Sequence, residues 1–318
     1  MSIPPPSSQG LRPPAELFGK HRLPPLSELL PANQGQVPAV PAAKPAVQPA
    51  DQNHVSPLSQ GKTSPQVQIL DKGHGKPLAK GVWYDASRRS ADGGVVRVLT
   101  VDPHKAELVP IFKDHAPVSG HEIEADKQLL GAINASFFGK GIIGDIKSDK
   151  KVSTDDHLPA LDKVTDQRHF IASGADGRIS TGRGGLSENA AAGYRNFIGG
   201  FPALYTRDQL RTLDQDIRSG VFAKRASYGG ASQADSVSRS FIGIAADGKV
   251  LLVAAGHGSE RGKGVSMAEG ARLLRELGAV EAYILDGGGS TTIFARGVEH
   301  ARTDGRQVWS YLGIRARP

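Results

Sequence analysis

From about Gly81 onward, apolar residues fall in short runs separated by turn formers, the pattern of strands joined by tight connections rather than of long helices. Val95 to Val101 and Ala106 to Phe112 are two such runs, split by the tetrad Asp102-Pro103-His104-Lys105, and they are expected to pair as a hairpin. Leu129 to Phe138 is a third, interrupted by polar residues at Asn134-Ala135-Ser136. Phe170 to Ser180 encloses Asp176-Gly177, and Phe241 to Val253 encloses Asp247-Gly248; both are hairpin signatures. Between them, Phe197 to Leu204 reads as a strand broken by Gly199-Gly200. Helical spacing is confined to two places. Leu210, Leu213, Ile217 and Val221 mark one face of a helix expected to pack on the core. Further on, Ser266-Met267-Ala268-Glu269 forms a capping box, Met267, Ala271, Leu274 and Leu277 share a stripe, and Gly278 supplies a left-handed stop.

After that helix an apolar strand, Ala282 to Leu285, runs into Asp286-Gly287-Gly288-Gly289-Ser290-Thr291-Thr292. An Asp at the end of a buried strand has its backbone held by the sheet while its carboxylate reaches an edge. Three glycines beside it let a ligand approach main-chain N–H groups closely. Anions and sugars suit such a loop, although Asp-Gly-Gly in isolation also suits a plain turn. Because strands outnumber helices and tight turns join them, the fold class is α+β: one domain over residues 80–318 with a largely antiparallel or mixed sheet and few helices.

Composition separates this domain from what precedes it. Fourteen of the 21 prolines lie before residue 71, and Phe18 is the only Phe, Tyr or Trp before Trp83. Residues 1–75 therefore have too little apolar bulk for a core and read as a disordered Pro/Ala/Gln-rich leader. Its stretch Leu23 to Leu30 offers a candidate docking segment for a partner. No run reaches the ~20 apolar residues of a membrane span. No charged segment followed by an apolar one marks a secretory signal, so residence in the cytoplasm or export by a non-classical route is expected. The absence of cysteine excludes disulfides and thiolate chemistry. A net charge of +7 is spread without basic runs or interleaved aromatics, which argues against nucleic acid as a partner and suits a small phosphate-bearing substrate. Residues 145–166 are polar and aperiodic, as in an exposed loop; Asp155-Asp156-His157 within them has ligand-type side chains but no second cluster at a metal-site spacing.

Four motifs stand in a fixed order: Asn134-Ala135-Ser136-Phe137-Phe138, Gly199-Gly200-Phe201-Pro202, Ser238-Arg239-Ser240, and Leu285-Asp286-Gly287-Gly288-Gly289-Ser290-Thr291. With the capped helix before the last of them, and Arg306 ahead of a final strand, the chain resembles the phosphodiester glycosidase domain family over roughly residues 80–318. The resemblance implies a hydrolase that releases a sugar from a sugar-1-phosphate diester, GlcNAc-phosphate-like or polysaccharide-linked, with a phosphorylated glycan as its partner. One departure stands out. Where the family often carries Asp-Gly-Arg, this chain reads Ala255-Gly256-His257, which keeps a non-catalytic module binding a glycan or nucleotide-sugar in view.

Cleavage at the anomeric carbon builds positive charge on the ring while a phosphate monoester leaves, so the site needs a carboxylate and phosphate donors more than a strong acid. Asp286 is the expected carboxylate, His257 a proton shuttle, and Asn134 the residue orienting a sugar hydroxyl or N-acetyl group. Arg239 and Arg306, with Gly287, Gly288, Gly289, Ser290 and Thr291, form the expected phosphate cradle. No cofactor is demanded, and a divalent cation held by Asp286 and Asn134 is an open candidate.

Overall fold

The computed structural model describes residues 74–155, 169–225, 236–257 and 263–317. Its elements begin with β1 (Lys76–Ala79), β2 (Val82–Asp85), β3 (Val96–Val101), β4 (Ala106–Phe112), helix α1 (Gly120–Ala125) and β5 (Leu129–Asn134). Next come β6 (Ile146–Ser148), β7 (Lys151–Ser153), β8 (His169–Ser173), β9 (Ile179–Arg183), β10 (Asn196–Phe201) and β11 (Ala203–Tyr205). Helices α2 (Leu213–Ser219) and α3 (Val221–Arg225) precede β12 (Arg239–Ala245) and β13 (Val250–Ala255). Helix α4 (Met267–Glu276) leads into β14 (Ala279–Ile284), and β15 (Ile293–Ala295), β16 (Val298–Ala301) and β17 (Ser310–Ala316) complete the series.

These strands form a seven-stranded sheet, β1-β2-β3-β13-β12-β14-β11, and two five-stranded sheets, β7-β6-β10-β8-β9 and β16-β15-β5-β17-β4. The described ladders are antiparallel, and helices are few, as the turn chemistry requires. Both Asp-Gly hairpins form, β8 with β9 and β12 with β13. One continuous core joins the central strands of the large sheet to β5, β10, β15, β17 and helix α4, with Leu99, Ile133, Phe201, Leu252 and Leu274 inside it.

Four local expectations are corrected. β3 and β4 exist at the expected places but do not pair: β3 lies between β2 and β13, and β4 lies against β17 in another sheet. The carbonyl of Asp102 accepts from both Lys105 N (3.0 Å) and Ala106 N (2.9 Å), and this tight turn carries the chain from one sheet into the other. The polar stretch after Asp145 is no plain loop, because β6 and β7 make a short hairpin on the edge of a five-stranded sheet. Strand pairing also begins at Lys76, ahead of Gly81. Of the four apolar positions after Leu204, Leu213 is buried and Leu210 and Ile217 pack on the core, but Val221 is exposed, since Gly220 at φ 76° ends α2 before it. Residues Leu23 to Leu30, Asp156 and His157 lie outside the described residues.

Among the helices, α4 has the closest link to the Asp286 loop. Ser266 Oγ accepts from Glu269 N (3.2 Å) and Glu269 Oε2 accepts from Ser266 N (2.7 Å), so the capping box closes at both ends. Met267, Ala271, Leu274 and Leu277 are buried, and Gly278 at φ 89° turns the chain directly into β14. The helix thus fixes the strand whose end carries Asp286.

Candidate active site

The site lies where two sheets meet end on. β14 ends at Ile284 in the large sheet, next to the start of β12 at Arg239, because the two run antiparallel with Phe241 opposite Ile284. β5 ends at Asn134 in a five-stranded sheet. Main-chain hydrogen bonds join the ends: Asp286 N donates to Ala135 O (3.0 Å), Leu285 N to Ser240 O (3.0 Å) and Gly288 N to Ser238 O (2.7 Å).

Asn134 is the fastener behind this junction. Fully buried, it donates from Nδ2 to the main-chain carbonyl of Asp286 (2.6 Å) and accepts at Oδ1 from Ser240 Oγ (2.7 Å) and Thr292 N (3.0 Å). Its amide is occupied by protein partners on three sides and reaches the back of Asp286 rather than the carboxylate. The pairing of Asn134 with Asp286 around a cation is therefore not formed. Among the described residues no group of three or more His, Asp or Glu side chains has the arrangement of a metal site.

In front of the junction lies a cleft of about 300 Å³ whose walls include Asp286, Arg239, Gly287 and Gly288, with Phe137, Phe138 and Met267 on the apolar side. The volume sits at the lower end of the range for small-molecule sites. Asp286 is largely withdrawn from water, and that burial pushes its carboxyl up to about 6. The Ser290 hydroxyl, the Gly287 N–H (3.0 Å to Oδ1) and the charge of Arg306 pull in the opposite direction without cancelling it. Arg239 is nearly buried, and its Nε donates to Val265 O (2.8 Å), which holds the guanidinium at the cleft wall.

The glycine loop is a single 3₁₀ turn, Gly288–Ser290, and Gly288 adopts φ 59°, a left-handed value suited to glycine. Ser290 and Thr291 are buried: the first gives its hydroxyl to Asp286, and the Oγ1 of the second has no hydrogen-bond partner. Gly289 lies under Asp304 and Arg306 rather than open to the cleft. Arg306 is exposed on the β16–β17 connection and reaches Asp286 through its charge. His257 is partly buried just past β13, and it is not among the residues lining the cleft. Sequence reasoning missed Ser240 and Asp304. Ser240 is visible only as the neighbour of Arg239, whereas Asp304-Gly305-Arg306 is itself an Asp-Gly-Arg triplet, displaced from the place where the resemblance leads one to look.

The structure is thus an antiparallel α+β fold in which a largely buried carboxylate and an arginine line one cleft. Comparison with protein families matches residues 127–315 to the family described as phosphodiester glycosidase, and the chain belongs to that family. None of the curated proteins compared matches it. Among solved structures it is similar to a hypothetical protein from Synechocystis, with TM-score 0.57 and 18% identity over 74% of this chain and 62% of that one. The chain thus spans less than two thirds of the cyanobacterial protein. It is also similar to the zebrafish N-acetylglucosamine-1-phosphodiester alpha-N-acetylglucosaminidase catalytic domain, auto-inhibited by pro-peptide. There the TM-score is 0.55 with 16% identity, covering 77% of this chain and 86% of that one. At such identities the likeness is one of fold.

Proposed function

We propose that the chain hydrolyses the glycosidic bond of a sugar-1-phosphate diester, either GlcNAc-phosphate-like or polysaccharide-linked. The observation that carries this reading is the small cleft that Asp286 and Arg239 both line. In the reaction the bond from the anomeric carbon to the phosphate oxygen breaks, and its electron pair leaves with the phosphate. The ring carbon becomes cation-like, and the Asp286 carboxylate stabilises or traps it. A water oxygen then bonds to that carbon and loses its proton to solvent or to the departing phosphate. Since Asp286 titrates near 6, the carboxylate is ionised at neutral pH as this role requires.

Arg239 and Arg306 act on the phosphate, whose oxygens match guanidinium forks, while the Gly287 and Gly288 N–H groups are taken by Asp286 Oδ1 and Ser238 O and hold the loop in place. Ser290 works through Asp286, to which it donates, and Thr291 packs beneath the loop. Asn134 acts by holding the Asp286 main chain. His257 receives no step.

The replacement of the family's Asp-Gly-Arg by Ala255-Gly256-His257 favours a second reading, a module that binds such sugars without turning them over. Purified chain incubated with a GlcNAc-1-phosphate diester separates the two. Turnover that disappears in a folded Asp286→Asn variant supports the hydrolase. Binding without turnover across several sugar-1-phosphate diesters supports the module.

A further inference from the structure

Asp304 and Arg306 form a two-pronged ion pair, with Arg306 Nε donating to Asp304 Oδ1 (2.8 Å) and Nη2 to Oδ2 (2.6 Å). The pair is pinned to the glycine loop, because Asp304 N donates to Gly289 O (3.0 Å). It also lies flat against that loop: a methyl group on the Gly289 Cα would collide with both Asp304 Oδ2 and Arg306 Nη2. Gly289 is thus a docking surface for a fork of charge three residues after Asp286. Arg306 acts electrostatically on Asp286, and Asp286 on Arg306.

A pair this open to water contributes little to stability. What it does is choose a conformation. An arginine side chain samples many rotamers, and a bidentate carboxylate removes most of them. The Arg306 side chain keeps 48% of its surface exposed, so it retains N–H groups for a second anion.

We infer that Asp304 is a positioning residue: it holds Arg306 against Gly289 so that the remaining guanidinium N–H groups face the phosphate of a diester whose anomeric carbon lies at Asp286. This rests on the function proposed above. Substrate phosphate and Asp304 would then share one guanidinium, and the glycine at 289 is required because any side chain there would lift the pair off the loop.

The test uses the full chain and four variants: Asp304→Asn, Arg306→Gln, the double variant and Gly289→Ala. Carboxyl-carbon NMR of substrate-free protein follows the titration of Asp286. Among the described residues the charge that acts on Asp286 is that of Arg306 from the β16–β17 connection, which is paired with Asp304, while Arg239 from β12 lines the same cleft. Release of Arg306 raises the Asp286 midpoint, so Asp304→Asn, Arg306→Gln and Gly289→Ala all shift it upward, and the double variant shifts it no further than Arg306→Gln. If Asp304 acted merely as a negative charge, its removal would lower the midpoint; a lowered or unmoved midpoint overturns the inference. Kinetics on a GlcNAc-1-phosphate diester form the second arm. KM rises about tenfold in Asp304→Asn, the scale of one charge-assisted hydrogen bond, with kcat less affected, and the double variant is no worse than Arg306→Gln. Additive losses overturn the inference. Absence of turnover in the wild-type chain sinks the proposed function alone, because the NMR arm needs no substrate.

Discussion

Replacing Asn134 by Ala asks whether this residue is a fastener or a sugar ligand. The side chain is fully buried and makes three hydrogen bonds at 2.6, 2.7 and 3.0 Å, to Asp286 O, from Ser240 Oγ and from Thr292 N. Truncation strands all three partners. A buried polar group left unsatisfied costs roughly 1–3 kcal/mol, less where water enters the vacated space, so the sum is about 4 kcal/mol. Against a total stability of about 5–15 kcal/mol, that is a large share. Urea unfolding is the assay, with the expected result a fall in the midpoint at an unchanged slope. Activity should fall mainly through kcat, because the main chain carrying Asp286 loses its tether. A loss of less than about 1 kcal/mol, together with a raised KM and unchanged kcat, would show that the amide serves the substrate and that the tethering argument is wrong.

Asp286 should cost the fold stability. Its folded pKa of about 6 lies above the ordinary carboxylate value, so the protein gains from protonating it. That contribution is present below the unfolded pKa of about 4 and is lost as the pH rises through 6, a difference of about 3 kcal/mol. Asp286→Asn is therefore expected to raise the melting temperature by several degrees near pH 8 and to change it little near pH 4, while abolishing turnover; a lowered melting temperature near pH 8 contradicts the burial argument. Ser266→Ala breaks the capping box of α4 and should cost about 1 kcal/mol in urea unfolding, with no loss meaning that the cap is not needed to start the helix. Gly270→Ala sets a helix-propensity gain of about 1 kcal/mol against a Cβ placed 2.5 Å from the Phe241 ring, so the variant should be less stable overall; a more stable variant would mean that the ring moves aside freely.

How much of the molecule is legible in its sequence depends on the range of each interaction. Turns and caps are local, so Asp176-Gly177, Asp247-Gly248 and the Ser266–Glu269 box can be read from neighbouring residues and form as expected. The tetrad after Val101 announces a reversal equally well, but which sheet receives β4 is decided by β17, some two hundred residues later. β6 and β7 are three residues each with Lys and Ser in them, too short and polar for a periodic signal. α1, six residues long, escapes a sequence reading although Ser119 and Glu122 form a capping box, because so short a segment carries little periodicity. At the site, the motifs that carry Asp286 and Arg239 are visible in the sequence and meet in one cleft. The links of Asn134 to Ser240 and Thr292, and of Asp304 to Gly289, are long-range contacts between loops and strand ends, which no spacing rule encodes.

A glycosidase acting on a phosphodiester breaks the bond on the sugar side of the bridging oxygen, whereas a phosphodiesterase breaks it on the phosphorus side. Hydrolysis of a GlcNAc-1-phosphate diester in isotopically labelled water, with products read by mass spectrometry, distinguishes them in one experiment. Attack at the anomeric carbon beside Asp286 predicts the heavy oxygen on the released sugar and none in the phosphate. Label in the phosphate, or no hydrolysis of any sugar-1-phosphate diester by the folded chain, would contradict it.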